Sequence, residues 1–259
     1  MTQIVTLITD FGWESVYVAQ MKAVLLSINR RLTIVDVTHE IPPQDVQAGA
    51  LVLRHVVPSF PPGSCHVAVV DPGVGTQRPC LCADMGGRYV VAPDNGLITY
   101  LAEVLPVNVM VRLENPAYRL PEVSATFHGR DVMAPAAAWL SLGVTLEQLG
   151  PVHHAPVLLP EGWKPLVTER QIRGKVVLVD RFGNLITNIE KTHLSPDRTV
   201  TVSIGEYVIP GLVRTYGHRT SGEVVALINS QGYVEVAVVN GSAAEVTGLG
   251  VGTPVVITW

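Results

Sequence analysis

Apolar positions in the first 150 residues follow two rhythms. Short β-branched runs alternate with longer stretches in which apolar residues recur every three to four positions. Residues 3–9, 32–37 and 65–70 read as buried strands. Residues 15–29 and 45–56 between them read as helices, the arrangement in which parallel strands are joined by helical crossovers. Residues 80–84 and 88–91 predict two further strands around a turn at Gly86 and Gly87, followed by helices near residues 96–103 and over 131–142. From Gly150 to Val167 there are four prolines and the His153–His154 pair but no period, which predicts a linker with solvated histidines. Beyond Gly174 the chain is short strands cut by glycine turns. The expected architecture is therefore an α/β domain with a central, mostly parallel sheet over residues 1–150, a Pro-rich linker over 151–170, and a small all-β barrel or sandwich over 171–259.

Composition narrows the function classes. Apolar residues make up 47% and charged residues 15%, a surplus that leads us to expect a homo-oligomer covering part of the surface. A net charge of −4 with scattered Lys and Arg gives no footprint for nucleic acid. No run reaches membrane-spanning length, and MTQIVTLITDF enters a strand-like run directly, so neither a membrane anchor nor a signal peptide is expected. Cys65, Cys80 and Cys82 are an odd number without metal-knuckle spacing. We read them as buried strand residues of a cytoplasmic protein.

The candidate chemistry sits in polar turns directly after strands, where an open α/β sheet collects its ligand groups. In Thr9-Asp10-Phe11-Gly12 the carboxylate is suited to ribose hydroxyls, to a metal, or to capping the next helix. The Gly-rich turn from Asp71 to Arg78 is either an anion nest or a structural turn with a surface Arg. In Thr126-Phe127-His128-Gly129-Arg130-Asp131 a His precedes a helix start, a structural or a catalytic position. Turns at Asp94-Asn95, Asp180–Asn184 and Asn229–Gly232 complete the set. The DFG triplet does not indicate a kinase, because no phosphate-covering glycine loop, VAIK-like lysine or HRD loop accompanies it.

Taken together and in order, TDFG, DVTHEIPPQDV, VVDPGVGTQR, APDNG, TFHGRD, DRFGNLITNI and NSQGYVEVAVVNGSA resemble the S-adenosylmethionine hydroxide adenosyltransferase family, relatives of the bacterial fluorinase and chlorinase. The resemblance spans nearly the whole chain. It implies hydrolysis of S-adenosylmethionine to adenosine and methionine by a water activated by Asp71, Arg78 and His128, without metal or cofactor. It also implies a trimer whose ligand lies between the N-terminal domain of one subunit and the C-terminal domain of the next. The halogenating relatives carry Tyr at the positions of Asp71 and His128 and Ser at that of Gly129, so the resemblance points to water rather than halide. It further places Asp10 on the ribose hydroxyls, Thr126 near C5′, Asp180 and Asn184 on the methionine amine, Ser230 near its carboxylate and Tyr216 against the ligand. Asn95 and Asn240 are implied as further contacts. Gln44 and Gln231 depart from the fluorinase, which has Trp and Arg there, and the Asp180-to-Asn184 spacing is one residue shorter. Two other readings remain open: a metal-dependent hydrolase using Asp10, Asp71, His128 and Asp131, and a non-catalytic sensor of adenosine or S-adenosylmethionine.

Overall fold

The structure is a computed structural model that describes residues 3–160, 163–195 and 199–259. It divides into two compact units, Met1–Leu159 and Pro160–Trp259.

The first unit runs β1 (Ile4–Thr9), α1 (Val16–Ile28), β2 (Thr33–Thr38), α2 (Val46–Val56), β3 (Cys65–Val69), β4 (Cys80–Met85), β5 (Arg88–Pro93), β6 (Val107–Arg112), α3 (Ala134–Ser141) and α4 (Leu146–Leu149). Its sheet order is β2-β1-β3-β5-β4-β6. The first four strands are parallel, and β4 runs antiparallel to both its neighbours. Strand periodicity decides which side chain enters which layer. Val5 and Leu7 of β1, with Cys65, Val67 and Val69 of β3, pack with α1 and α3. Ile8 and Ala68 face the opposite layer with Leu53 of α2. Both faces are covered, so β1 and β3 read as continuous apolar runs.

Helix starts follow their caps. The Ser15 hydroxyl accepts from Tyr17 N–H ahead of α1, and Asp45 accepts from Ala48 N–H ahead of α2. Asp10 is therefore not the cap of α1. Residues 96–103 do not form the expected helix; only a 3₁₀ turn at Leu101–Glu103 is present. The Thr99 hydroxyl donates to Gly96 C=O at 2.6 Å and accepts from Leu159 N–H at 2.9 Å, side-chain bonds that tie this turn to the segment after Gly150 alongside a mixed series of backbone turn bonds. The helix expected over 131–142 begins instead as a π-turn at Gly129–Met133 and becomes regular at α3. Strand β6, absent from the expected elements, pairs with β4 along its alternating Val107, Val109 and Val111. The segment after Gly150 is tied down as far as Leu159. Val152 bridges to Val111, and His153 is not solvated, because its Nε2 lies 3.0 Å from Asp94 Oδ2. His154 is exposed.

The second unit contains β7 (Leu166–Val167), β8 (Gln171–Val179), β9 (Leu185–Glu190), β10 (Thr201–Ile204), β11 (Tyr207–Pro210), β12 (Val224–Ile228), β13 (Tyr233–Val238), α5 (Ala243–Thr247) and β14 (Pro254–Thr258). The order is β11-β10-β14-β8-β9-β13-β12, with β7 on β8. The first half of β8 pairs with β14 and the second half with β9. One strand thus joins two antiparallel sheets into a nearly closed barrel around Ile172, Val176, Val202, Val236 and Ile257. Cys65, Cys80 and Cys82 are free and buried. Among the described residues no helix is long and apolar enough to cross a membrane.

Candidate active site

Asp71 follows β3, Arg78 precedes β4, and His128 precedes the π-turn, a helix irregularity that recurs at functional sites. Two loops must meet for these residues to touch. They do so at Gly75, whose φ of +78° suits glycine and whose missing Cβ would stand 2.2 Å from Ala125 C=O. Asn95 holds the other flank, its amide donating to Val70 C=O at 2.9 Å immediately ahead of Asp71.

Arg78 is the hub. Its Nε donates to Asp71 Oδ1 at 2.7 Å and its Nη2 to Asp71 Oδ2, a two-pronged grip on the carboxylate. Nη2 also lies 3.1 Å from His128 Nδ1, and Nη1 donates to Cys80 Sγ at 3.0 Å. The Arg78 and Asp71 side chains are only 9% and 6% exposed, so the pair is largely dry. A guanidinium can only donate, hence His128 Nδ1 presents its lone pair, and the neutral ring carries its hydrogen on Nε2. Burial, and then the charge of Arg78, hold the His128 pKa below its ordinary 6.5 and keep the ring neutral at pH 7. Burial pushes the Cys80 thiol up, with Arg78 opposing the shift.

Asp10 stands at the end of β1, where its Oδ2 accepts from Gln44 N–H at 2.8 Å. Gln44 has φ of +66°, a left-handed conformation that a non-glycine residue keeps only when its surroundings hold it. Behind this turn His39, fully buried, links Thr9 Oγ1 to Asp36, which Lys22 also holds. Thr126 is exposed on the His128 loop, where Ser124 Oγ accepts from its N–H. Asp131 is committed to Arg130 and to Ser124 N–H. Among the described residues no group of three or more His, Cys, Asp or Glu side chains is arranged to hold a metal ion.

In the second unit Asp180 Oδ1 accepts from Phe182 N–H and Asn184 N–H, while its Oδ2 accepts from Asn184 Nδ2 at 3.0 Å. This closes a tight turn over Gly183, whose φ is +80° and whose Cβ position lies 2.0 Å from Ser242 Oγ. A cavity of about 410 Å³ beside it is lined by Phe182, Asn184, Tyr216, Val238, Asn240 and Gly241. The structure thus gathers Asn184, Tyr216 and Asn240, with Asp180 behind Asn184. Ser230 is exposed at the tip between β12 and β13 and is not part of this lining. Phe182 and Glu235 are not among the expected site residues. Phe182 is visible in the DRFGN turn. Glu235 is nearly fully buried on β13 and accepts from Tyr216 O–H at 2.7 Å, a pairing across 19 residues that no local motif signals. Burial and this carboxylate push the Tyr216 phenol up to about 12.

An α/β unit whose strand-end loops join Asp, Arg and His, followed by a β-barrel unit with an aromatic-rimmed cavity, is an arrangement suited to binding a small molecule. The family follows from comparison. A model of the SAM hydroxide adenosyltransferase N-terminal domain matches residues 5–150, and one of the C-terminal domain matches residues 174–256, so the chain belongs to the SAM hydroxide adenosyltransferase family. It is 41% identical over 255 residues to the (R)-S-adenosyl-L-methionine hydrolase of Thermus thermophilus, covering 96% of each chain. It is 28% identical to a fluorinase of Actinoplanes sp., covering 90% of each. A solved structure of an uncharacterized conserved protein from Thermotoga maritima superposes with a TM-score of 0.92 at 35% identity, covering 98% of this chain and 100% of that one.

Proposed function

We propose that this chain splits S-adenosylmethionine into adenosine and methionine, a water molecule attacking the ribose C5′ carbon in line with the departing sulfur. The observation that carries the reading is the Arg78 hub joining Asp71 and His128, in a chain whose relatives at 36–41% identity bear the name of that hydrolase.

The sulfonium leaves as a neutral thioether and needs no proton, so the demand falls on the nucleophile. Arg78 is cationic at every working pH and lowers the cost of forming hydroxide beside it. The basic nitrogen of His128, Nδ1, faces Arg78. A water that displaces the Arg78–His128 hydrogen bond and enters between the two groups would meet both the cation that favours its ionisation and the freed Nδ1 that takes its proton, a role worth roughly 10²- to 10⁴-fold. Asp71 spends both oxygens on Arg78, so it aims the guanidinium rather than the imidazole.

Asp10 holds the ribose hydroxyls, Thr126 and Asn95 line the C5′ side, and Asp180 with Asn184 receives the methionine amine. Tyr216 and Asn240 line the same pocket, and Ser230 lies toward the carboxylate. We place the site between subunits of a cytoplasmic homotrimer. The exposed aromatics next to these residues, Trp13 at 56%, Tyr17 at 51% and Phe182 at 78%, support a covered face, and the three free thiols suit a reducing compartment. No metal or cofactor takes part.

The test is to incubate chelator-treated protein with S-adenosylmethionine, with and without halide, and to separate the products. Adenosine at the same rate in both is expected. A halogenated nucleoside, or activity only with added metal, would overturn the reading, and binding without turnover would indicate a sensor.

A further inference from the structure

Beside the Arg78 hub lies a second cavity, of about 260 Å³, whose charged and titratable lining is Arg78, Cys80, His128, Arg112, Arg119 and one carboxylate, Glu114. A water molecule occupies about 30 Å³ of liquid, so the space admits a polyatomic ligand. Arg78 and His128 are shared with the proposed water-activating centre, whereas none of Asp10, Asp71, Asn95 or Thr126 lines the cavity.

Three guanidinium groups meet here, and their charges are unequally balanced. Asp71 opposes Arg78. Glu114 opposes Arg112 through an ion pair of 3.1 Å whose members are 40% and 47% exposed. Arg119 donates Nη2 to the neutral Leu113 carbonyl, and no carboxylate among the described residues pairs with it. The Nε atoms of Arg112 and Arg119 are both buried with no hydrogen-bond partner among the described residues. Buried guanidinium hydrogens without acceptors are rare in native proteins and carry a penalty that a ligand oxygen would relieve. Arg forks match the spacing of oxyanion acceptors.

We propose that this cavity binds a small oxyanion of the size of phosphate, held by Arg119 and Arg112 and touching Arg78 from the side that does not hold Asp71. Arg78 belongs to both places, so an anion here draws on the guanidinium that braces Asp71 and His128. Occupancy then slows turnover while leaving the nucleoside contacts free. That second consequence rests on the hydrolase reading; the binding itself does not.

The experiment is calorimetric titration of wild type and Arg119→Gln with inorganic phosphate at fixed ionic strength, repeated with adenosine present in excess. Saturable binding to wild type is expected, weakened about tenfold or more in the variant through loss of a charge-assisted contact, and unaltered by adenosine. Weak uptake that is equal in both proteins, or displacement of phosphate by adenosine, would overturn the proposal. Should circular dichroism show that Arg119→Gln does not fold, Arg112→Gln makes the same comparison with the same expectation. A wild type that binds phosphate but never turns over S-adenosylmethionine would remove the hydrolase reading and leave the anion site standing.

Discussion

Replacing Arg78 by lysine keeps the positive charge and removes the planar fork. In the native protein that fork makes two bonds to Asp71, one to His128 and one to Cys80. A lysine ammonium donates from one atom and cannot brace three partners that approach from different edges. At least two bonds to charged or catalytic groups are lost, each worth about 1.5–3 kcal/mol. The lower end sums to about 3 kcal/mol, and at 1.36 kcal/mol per factor of ten this corresponds to a fall in kcat of roughly 150-fold. The loss falls on kcat because the bonds aim groups at the water, whereas the substrate is held elsewhere. Steady-state adenosine formation, followed by chromatography over a range of S-adenosylmethionine concentrations, separates kcat from KM, and a thermal melt checks that Arg78→Lys folds. A kcat within about threefold of wild type, or a change confined to KM, would refute the assignment of Arg78 as the hub.

Three further outcomes follow from the same geometry. On the proposed mechanism the neutral form of His128 is the active one, and its pKa lies below 6.5, so kcat should hold through pH 7 and fall only as pH drops below 6.5; a limb centred above 6.5, or one that persists in His128→Gln, would contradict this. Asp10→Ala should raise the Kd for adenosine roughly tenfold or more, the worth of one charge-assisted bond, and an unchanged calorimetric value would remove its ribose role. His66, fully buried between Thr6 and Ser64, has its pKa lowered from 6.5 to about 4 by burial and then by Arg88. Between those values the unfolded chain binds a proton that the folded one refuses, so stability is complete above pH 6.5 and falls by about 3 kcal/mol as pH approaches 4. Urea midpoints of wild type and His66→Gln at pH 7.5 and 4.5 should therefore diverge, and parallel curves would refute the linkage.

Strands buried on both faces and the helices near residues 15–29 and 45–56 were legible because apolar period is a local signal, whereas the cap of the first helix was not: Asp10 is a candidate and Ser15 holds the position. Asp71, Arg78 and His128 were legible as turn residues and as family positions, but their bonding through a single guanidinium was not. Cys80 reads as an ordinary strand residue until β4 brings its sulfur to Arg78. Glu235 looks like one polar residue in an apolar strand until the barrel sets it under Tyr216. Residues 96–103 carry a helical period that Gly96, at φ of +104° and packed against Leu159, cannot sustain. His153, in a proline-rich stretch, finds its partner 59 residues away in Asp94. For Glu235, Gly96 and His153 the deciding contact is distant in sequence, and for Cys80 it depends on the direction in which the Arg78 side chain folds back; periodicity carries neither kind of information.

The proposed chemistry turns on water attacking C5′. Turnover of S-adenosylmethionine in water enriched in heavy oxygen, with mass analysis of both products, tests it most directly. Adenosine carrying the heavy atom at its 5′-hydroxyl, and methionine carrying none, is the expected result. Unlabelled adenosine, label in the amino-acid product, or a nucleoside that keeps the sulfur would contradict it.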